Sequence, residues 1–220
     1  MQETSRSQHG DKMTDAAKLE LEDEILTMGK YDATEAEVND NGLVRYIDLE
    51  NVAAPRSKGR HSEKQFYRGN VSIVERLLNR MYVAGHSGSK HYITSGHNIG
   101  SSERLWNVIH DAFDIINEET GENPVQVLVD AIENSAPVEE VVTYQRGGAR
   151  ARKAVLVSPQ RRVDLALRLL VQGQYENRLT DSTSAEEALA QELMAAADGD
   201  SSVNAVREKE RRESEAEGAR

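Results

Sequence analysis

The chain has no cysteine, which rules out a disulfide framework and any thiolate metal site. Aromatic residues make up only 5% of it, with two Phe and one Trp. No apolar run approaches the roughly 20 residues needed to span a bilayer. The opening MQETSRSQHGDKMTDAAKLELEDEI has no apolar signal-peptide core. A cytoplasmic protein with no membrane partner is the expectation. Catalytic signatures are missing too: there is no Walker loop, GxGxxG, GxSxG or HExxH. Glu139 and Glu140 are adjacent carboxylates, but strand neighbours point to opposite faces and suit no shared acid–base site. We expect no enzyme and no cofactor.

What the chain does have is charge in blocks. The net charge is −11 over 220 residues, a balance that on average argues against nucleic acid. Residues 51–90, however, hold eight basic and two acidic side chains, and residues 141–168 hold seven and one. Two basic islands in an acidic chain matter more than the total, because phosphates respond to local potential. The 19 Arg against 8 Lys favour bidentate phosphate contacts. The remaining acidity is compatible with a salt-rich cytosol, and equally with an ordinary acidic surface.

The second island has the clearest local pattern. Val142 and Tyr144 alternate before Gly147-Gly148, and Val155 and Val157 alternate after it, predicting a β-hairpin over 138–157 whose turn uses positive φ. Ser158-Pro159 then reads as an N-cap with Pro at the first helical position. Val163, Ala166, Leu167 and Leu170 take the core face of that helix. Arg161, Arg162 and Arg168 are left for another surface, so Arg161 and Arg162 are expected to be dispensable for the fold. Gly173 is expected to end the helix.

Elsewhere, residues 1–42 are acidic and unpatterned, reading as a mobile extension with one short helix over 16–26. A short strand is expected over 43–49, followed by an extended basic arm to residue 70 with Phe66 and Tyr67 as local anchors. A helix over 71–83 places Val71, Val74, Leu78 and Met81 inward, and Arg76 and Arg80 together on another face. Residues 84–100 form a Gly/Ser-rich linker whose His86, His91 and His97 do not match a metal-ligand spacing; His110 also lacks a partner motif. Ser102 is expected to cap a helix with Leu105, Val108, Ile109, Ala112, Ile115 and Ile116 at core spacing, which Gly121 ends. Asn123-Pro124 starts another, with Val125, Leu128, Val129 and Ile132 inward. Thr183 or Ser184 with Glu186-Glu187 offers a capping box for a helix burying Ala188, Leu189, Leu193 and Ala196. A charged C-terminal helix over 201–220, opened by Ser201 or Ser202, is expected to stay solvated and fray. The expected fold is mainly α: about six helices, an extended N-terminal segment and one protruding hairpin, with a helical domain over 71–200.

Several motifs occur together and in order: GRHSEKQF (59–66), SIVERLLNR (72–80), TGENPVQVLVDAIENSAP (120–137), RGG (146–148) with KAVLVSPQRRVDLALR (153–168), and TSAEEALAQELMAAA (183–197). Through them the chain resembles the family of the seventh protein of the small ribosomal subunit, in its archaeal form. The resemblance implies a structural constituent of that subunit. Such a protein would bind the 3′ major (head) domain of small-subunit rRNA and nucleate head assembly. It would lie among neighbouring head proteins, with its hairpin near exit-site tRNA and the mRNA path. Carried over by motif, with the flanking basic residues added, rRNA contacts would come from Arg56, Lys58, Arg60, His61, Lys64, Gln65, Arg68, Arg76 and Arg80. Gln160, Arg161, Arg162 and Arg168 would add to them. The hairpin arm would contribute Arg146, Gly147, Gly148, Arg150, Arg152 and Lys153. The ARAR run (149–152) is more basic than the hydrophobic hairpins associated with archaeal members. A free helical DNA-binding regulator, reading through Gln160, Arg161 and Arg162, is the alternative. An acidic interaction scaffold would leave the basic islands idle.

Overall fold

The computed structural model describes residues 25–54, 56–82 and 101–220. The linker histidines and nearly all of the expected 16–26 helix lie outside them. The described residues hold six α-helices: α1 (Ile73–Met81), α2 (Ser102–Thr120), α3 (Pro124–Ser135), α4 (Pro159–Asp181), α5 (Ala185–Ala197) and α6 (Asn204–Glu217). Strands β1 (Glu139–Arg146) and β2 (Ala149–Leu156) form the hairpin between α3 and α4. The mainly helical fold with one hairpin is therefore as the pattern of apolar residues implies.

The core sits where the apolar stripes of α1 to α5 converge. Phe113, Ile109 and Ile116 of α2 meet Leu128 and Ile132 of α3, Leu170 of α4, and Leu189 and Leu193 of α5, all fully buried. Helix α5 is central, packing against α2, α3 and α4. Its Ala188, Ala190 and Ala196 are completely buried. Small side chains let neighbouring backbones approach, while Leu189 and Leu193 fill the gaps. The capping box of α5 is complete, with Ser184 accepting from the Glu187 N–H and Glu187 accepting from the Ser184 N–H.

Several local expectations need correction. Gly173 does not end α4, which continues to Asp181. A Cβ at Gly173 would overlap the Glu192 carboxyl of α5, so the glycine provides close helix approach and not a cap. Residues 43–49 form no strand. The Leu43 N–H donates to the Asp40 carbonyl and the Ile47 N–H to the Leu43 carbonyl, winding a helical turn that buries Leu43 and Ile47. The alternation of LVRYIDL hides an i, i+4 apolar pair. The arm before α1 is not simply extended, since short 3-10 turns occur at Arg60–Ser62 and Tyr67–Asn70. Phe66 and Tyr67 do not anchor it, being 70% and 39% exposed.

Residues 25–42 are packed, not a free extension. Met28, Ala33 and Ala36 join the core, and the Tyr31 ring meets Phe113 edge-on at 6.1 Å. Asn51 ties this segment down: it accepts from the Thr27 hydroxyl and the Ala33 N–H and donates to Asp32. Helix α6 also docks, burying Ala205, Val206 and Ala216 against β1 and α4. Its caps differ from expectation, as Val203 precedes it, and α2 is capped by Ser101. Helix α1 spans only Ile73–Met81.

Candidate nucleic-acid interface

About fifty residues separate the two basic islands in sequence, yet the packing of α1 on α4 brings the helical part of each onto one surface. A cavity of about 200 Å³ lies at the junction, lined by His61, Arg68, Arg76, Arg80, Asp164 and Leu167. Beside it a cleft of about 340 Å³ is lined by Tyr46 and Phe66 on one side, and by Ser158, Pro159, Gln160, Arg161 and Arg168 on the α4 side. Asp164 and Leu165 complete its wall.

The arginines of this region fall into two groups. Arg76 and Arg162 serve the interior, although they were expected among the phosphate contacts. The Arg76 side chain is 4% exposed; it donates to the Asp164 carboxylate at 3.0 Å and to the Tyr46 carbonyl. Burial pulls the Arg76 pKa down, and Asp164 opposes that shift. Arg162 is buried and donates to Asp40 at 2.7 Å. Burial disfavours the Asp40 charge, but the Arg162 guanidinium and the Gly42 N–H outweigh it and hold the carboxyl below its usual range.

The second group faces solvent. Arg68 is exposed and bridges to Asp164 at 3.0 Å. Arg80 is half-buried and Arg168 exposed. Burial and then the neighbouring Arg168 lower the Arg80 pKa, with Asp164 opposing. The Arg80 Nε is buried without a hydrogen-bond partner. Arg161 donates in a bidentate pair to Glu140 at 2.8 and 2.9 Å, which raises its pKa, and its side chain remains 55% exposed. Arg56, Lys58, Lys64 and Gln65 are exposed on the arm, and His61 and Gln160 are half-buried. Lys64 sits over the Tyr67 ring at 5.9 Å. Arg60 lies in the first 3-10 turn. The arm is held by Ser57, whose N–H and hydroxyl donate to the buried Glu75.

The hairpin stands apart from this surface. Gly147 and Gly148 have φ of +58° and +85°, the pair of positive values that a two-residue type I′ turn requires. The register pairs Gln145 with Arg150, Thr143 with Arg152, and Arg146 with Ala149. Arg150 and Arg152 therefore share one face with Thr143 and Gln145, whereas Lys153 pairs with Val142 on the other, beside Tyr144 and Ala151. Helix α6 braces the hairpin base: Glu213 accepts from the Val138 N–H and Arg220 pairs with Glu139.

Sequence reasoning missed the internal roles of Arg76 and Arg162. Their acceptors, Asp164 and Asp40, come from packing partners and not from helical neighbours. It also missed the exposure of Phe66. Among the described residues no group of three His, Asp or Glu converges as a metal site, and no helix is long and apolar enough to cross a membrane.

Comparison with known proteins gives the family. The small ribosomal subunit protein uS7 of Haloarcula marismortui is 42% identical over 192 residues, covering 87% of each chain. That of Nanoarchaeum equitans is also 42% identical over 192 residues, covering 87% of this chain and 97% of its own. The uS7 of Methanothermobacter thermautotrophicus is 39% identical over 188 residues, 86% of this chain and 95% of its own. With the family model described as ribosomal protein S7p/S5e matching residues 44–220, the chain belongs to that ribosomal protein family.

Proposed function

We propose that this protein is a structural constituent of the small ribosomal subunit in the cytoplasm. It binds the 3′ major (head) domain of small-subunit rRNA and nucleates head assembly beside neighbouring head proteins. Its hairpin lies near exit-site tRNA and the mRNA path. The observation that carries this reading is the meeting of Arg68 and Arg80 from one basic island with Arg161 and Arg168 from the other on the α1–α4 surface of an otherwise acidic chain. Arg68, Arg80, Arg161 and Arg168 supply the cations there, with His61, Gln160 and the arm residues Arg56, Lys58, Arg60, Lys64 and Gln65 around them. Gly147, Gly148, Arg146, Arg150, Arg152 and Lys153 form the arm that reaches outward. Recognition rests on phosphates, 2′-hydroxyls and RNA shape, because the A-form major groove is too deep and narrow for side chains to read. Neutralised phosphates release counterions, so binding weakens with salt.

The DNA-regulator alternative loses its support here. Of the three residues that would lead a recognition helix, Arg162 is buried against Asp40 and cannot reach a base edge. Filter binding to a head-domain rRNA fragment at several salt concentrations tests the proposal. Changing Arg80 and Arg168 together to Ala is expected to cost on the order of 1–3 kcal/mol per contact and to flatten the salt slope by about one or two units. Changing Glu208 and Glu210 is expected to do neither. Equal effects from both pairs, or failure of the protein to co-sediment with small subunits in a salt-matched gradient, would refute it.

A further inference from the structure

Phe66 is one of only two phenylalanines, and the other, Phe113, is fully buried in the core. Phe66 does the reverse on two counts. Its side chain is 70% exposed, and its backbone takes φ +64°, a left-handed conformation that a bulky residue adopts at a cost. Neither feature helps the fold: burying an aromatic ring is favourable, and glycine would take this φ without strain. The ring lines the 340 Å³ cleft, a volume near the lower end of the roughly 300–1,000 Å³ typical of small-ligand pockets. Tyr46, Pro159 and Leu165 make part of the wall apolar, while Gln160, Arg161 and Arg168 supply donors and positive charge. The one acid in the wall, Asp164, is engaged by Arg68 and Arg76. An exposed aromatic face beside fixed cations suits a ligand with a flat π-surface and an attached anion.

We propose that Phe66 is a base-stacking platform for one unpaired nucleotide of the bound RNA, with Arg161 and Arg168 taking its phosphates and Gln160 within reach of a base edge or ribose. The inference rests on the RNA-binding reading and deepens it, separating a site for an unstacked base from the surrounding phosphate contacts. Stacking is tolerant of base identity, so the site fixes register by shape more than by sequence. The left-handed Phe66 backbone presents the ring to the cleft at the expense of local stability.

The test uses the full chain, titrated at low salt with short oligoadenylate and with an RNA duplex of the same length. Phe66→Gly is expected to melt at the same or a higher temperature, because glycine relieves the left-handed backbone. Its affinity for the single strand should fall by about fivefold to 150-fold, while duplex binding is unchanged. Phe66→Trp should restore single-strand binding, and the oligomer should quench the new tryptophan. Loss of affinity without loss of stability is a result that a packing role for Phe66 does not produce. Wild-type single-strand affinity in the glycine variant, or equal losses on both RNAs, would overturn the proposal. Failure of the wild type to bind either RNA would take the RNA-binding reading down with it, and that is seen before any variant is made.

Discussion

Arg162 on α4 and Asp40 in the N-terminal segment form an ion pair at 2.7 Å, although 122 residues separate them in the chain. The pair pins residues 37–42 against the helical core, assisted by Glu133, which accepts from the Asp40 N–H. It also sets two adjacent arginines apart. Arg162 is committed to the interior, and Arg161 keeps an exposed guanidinium.

Arg162→Ala should therefore destabilise the fold by about 1–3 kcal/mol, because it strands a partly buried carboxylate and removes packing. Arg161→Ala breaks a solvent-exposed pair and should cost less than about 1 kcal/mol. Separate thermal melts of the two variants check this. Equal midpoints would contradict the assignment of Arg162 to the interior.

Glu192 sets a pH dependence. It is 2% exposed and accepts from the Asn177 amide, and its Oε1 has no hydrogen-bond partner. Burial pushes its pKa from 4.5 up to about 8; Asn177 opposes the shift, Glu176 adds to it, and Arg207 opposes it. The folded chain thus holds a proton that the unfolded chain has already released. Stability from this group is fully present below about pH 4.5, falls as pH rises towards 8, and levels off above that. The loss is on the order of 3–5 kcal/mol. Glu192→Gln keeps an acceptor for Asn177 and should remove most of that slope, raising the melting temperature at pH 8. Chemical denaturation at a series of pH values reads it; an unchanged slope would count against a protonated Glu192.

Gly173 and Glu192 should be energetically coupled. In the wild-type background, Gly173→Ala forces the buried Glu192 carboxyl aside and should destabilise, despite the gain of up to about 1 kcal/mol in helix propensity. In a Glu192→Ala background the same change meets free space and should stabilise. A double-mutant cycle measured by denaturation tests for this reversal of sign.

The hairpin tip stands outside the core, with Gly147, Gly148, Arg150 and Arg152 all exposed. Deleting residues 145–152 should leave the melting temperature within a few degrees of wild type and preserve binding to the rRNA fragment. Translation by subunits carrying the shortened protein should fall. Loss of folding, or of all rRNA affinity, would show that the tip belongs to the core or to the main binding surface.

What the sequence determined by itself was governed by near neighbours in the chain. The apolar spacing in α2, α3 and α4, the Ser184–Glu187 capping box, Asn123-Pro124 at a helix start and the Gly147-Gly148 turn are local devices. Each acts within a turn or two of backbone, and each stands where it was read. The motifs likewise carried the family. Tertiary structure decided what depends on partners from distant segments. Gly173 became a contact point because Glu192 arrives there from α5, and Arg162 became internal because Asp40 reaches it. Residues 25–42 ordered because Asn51 and Phe113 receive them. The division among the cations follows from the same physics. A guanidinium pairs with a buried carboxylate or faces solvent according to where an acid lies in space, and residue type and helical periodicity carry no record of that position.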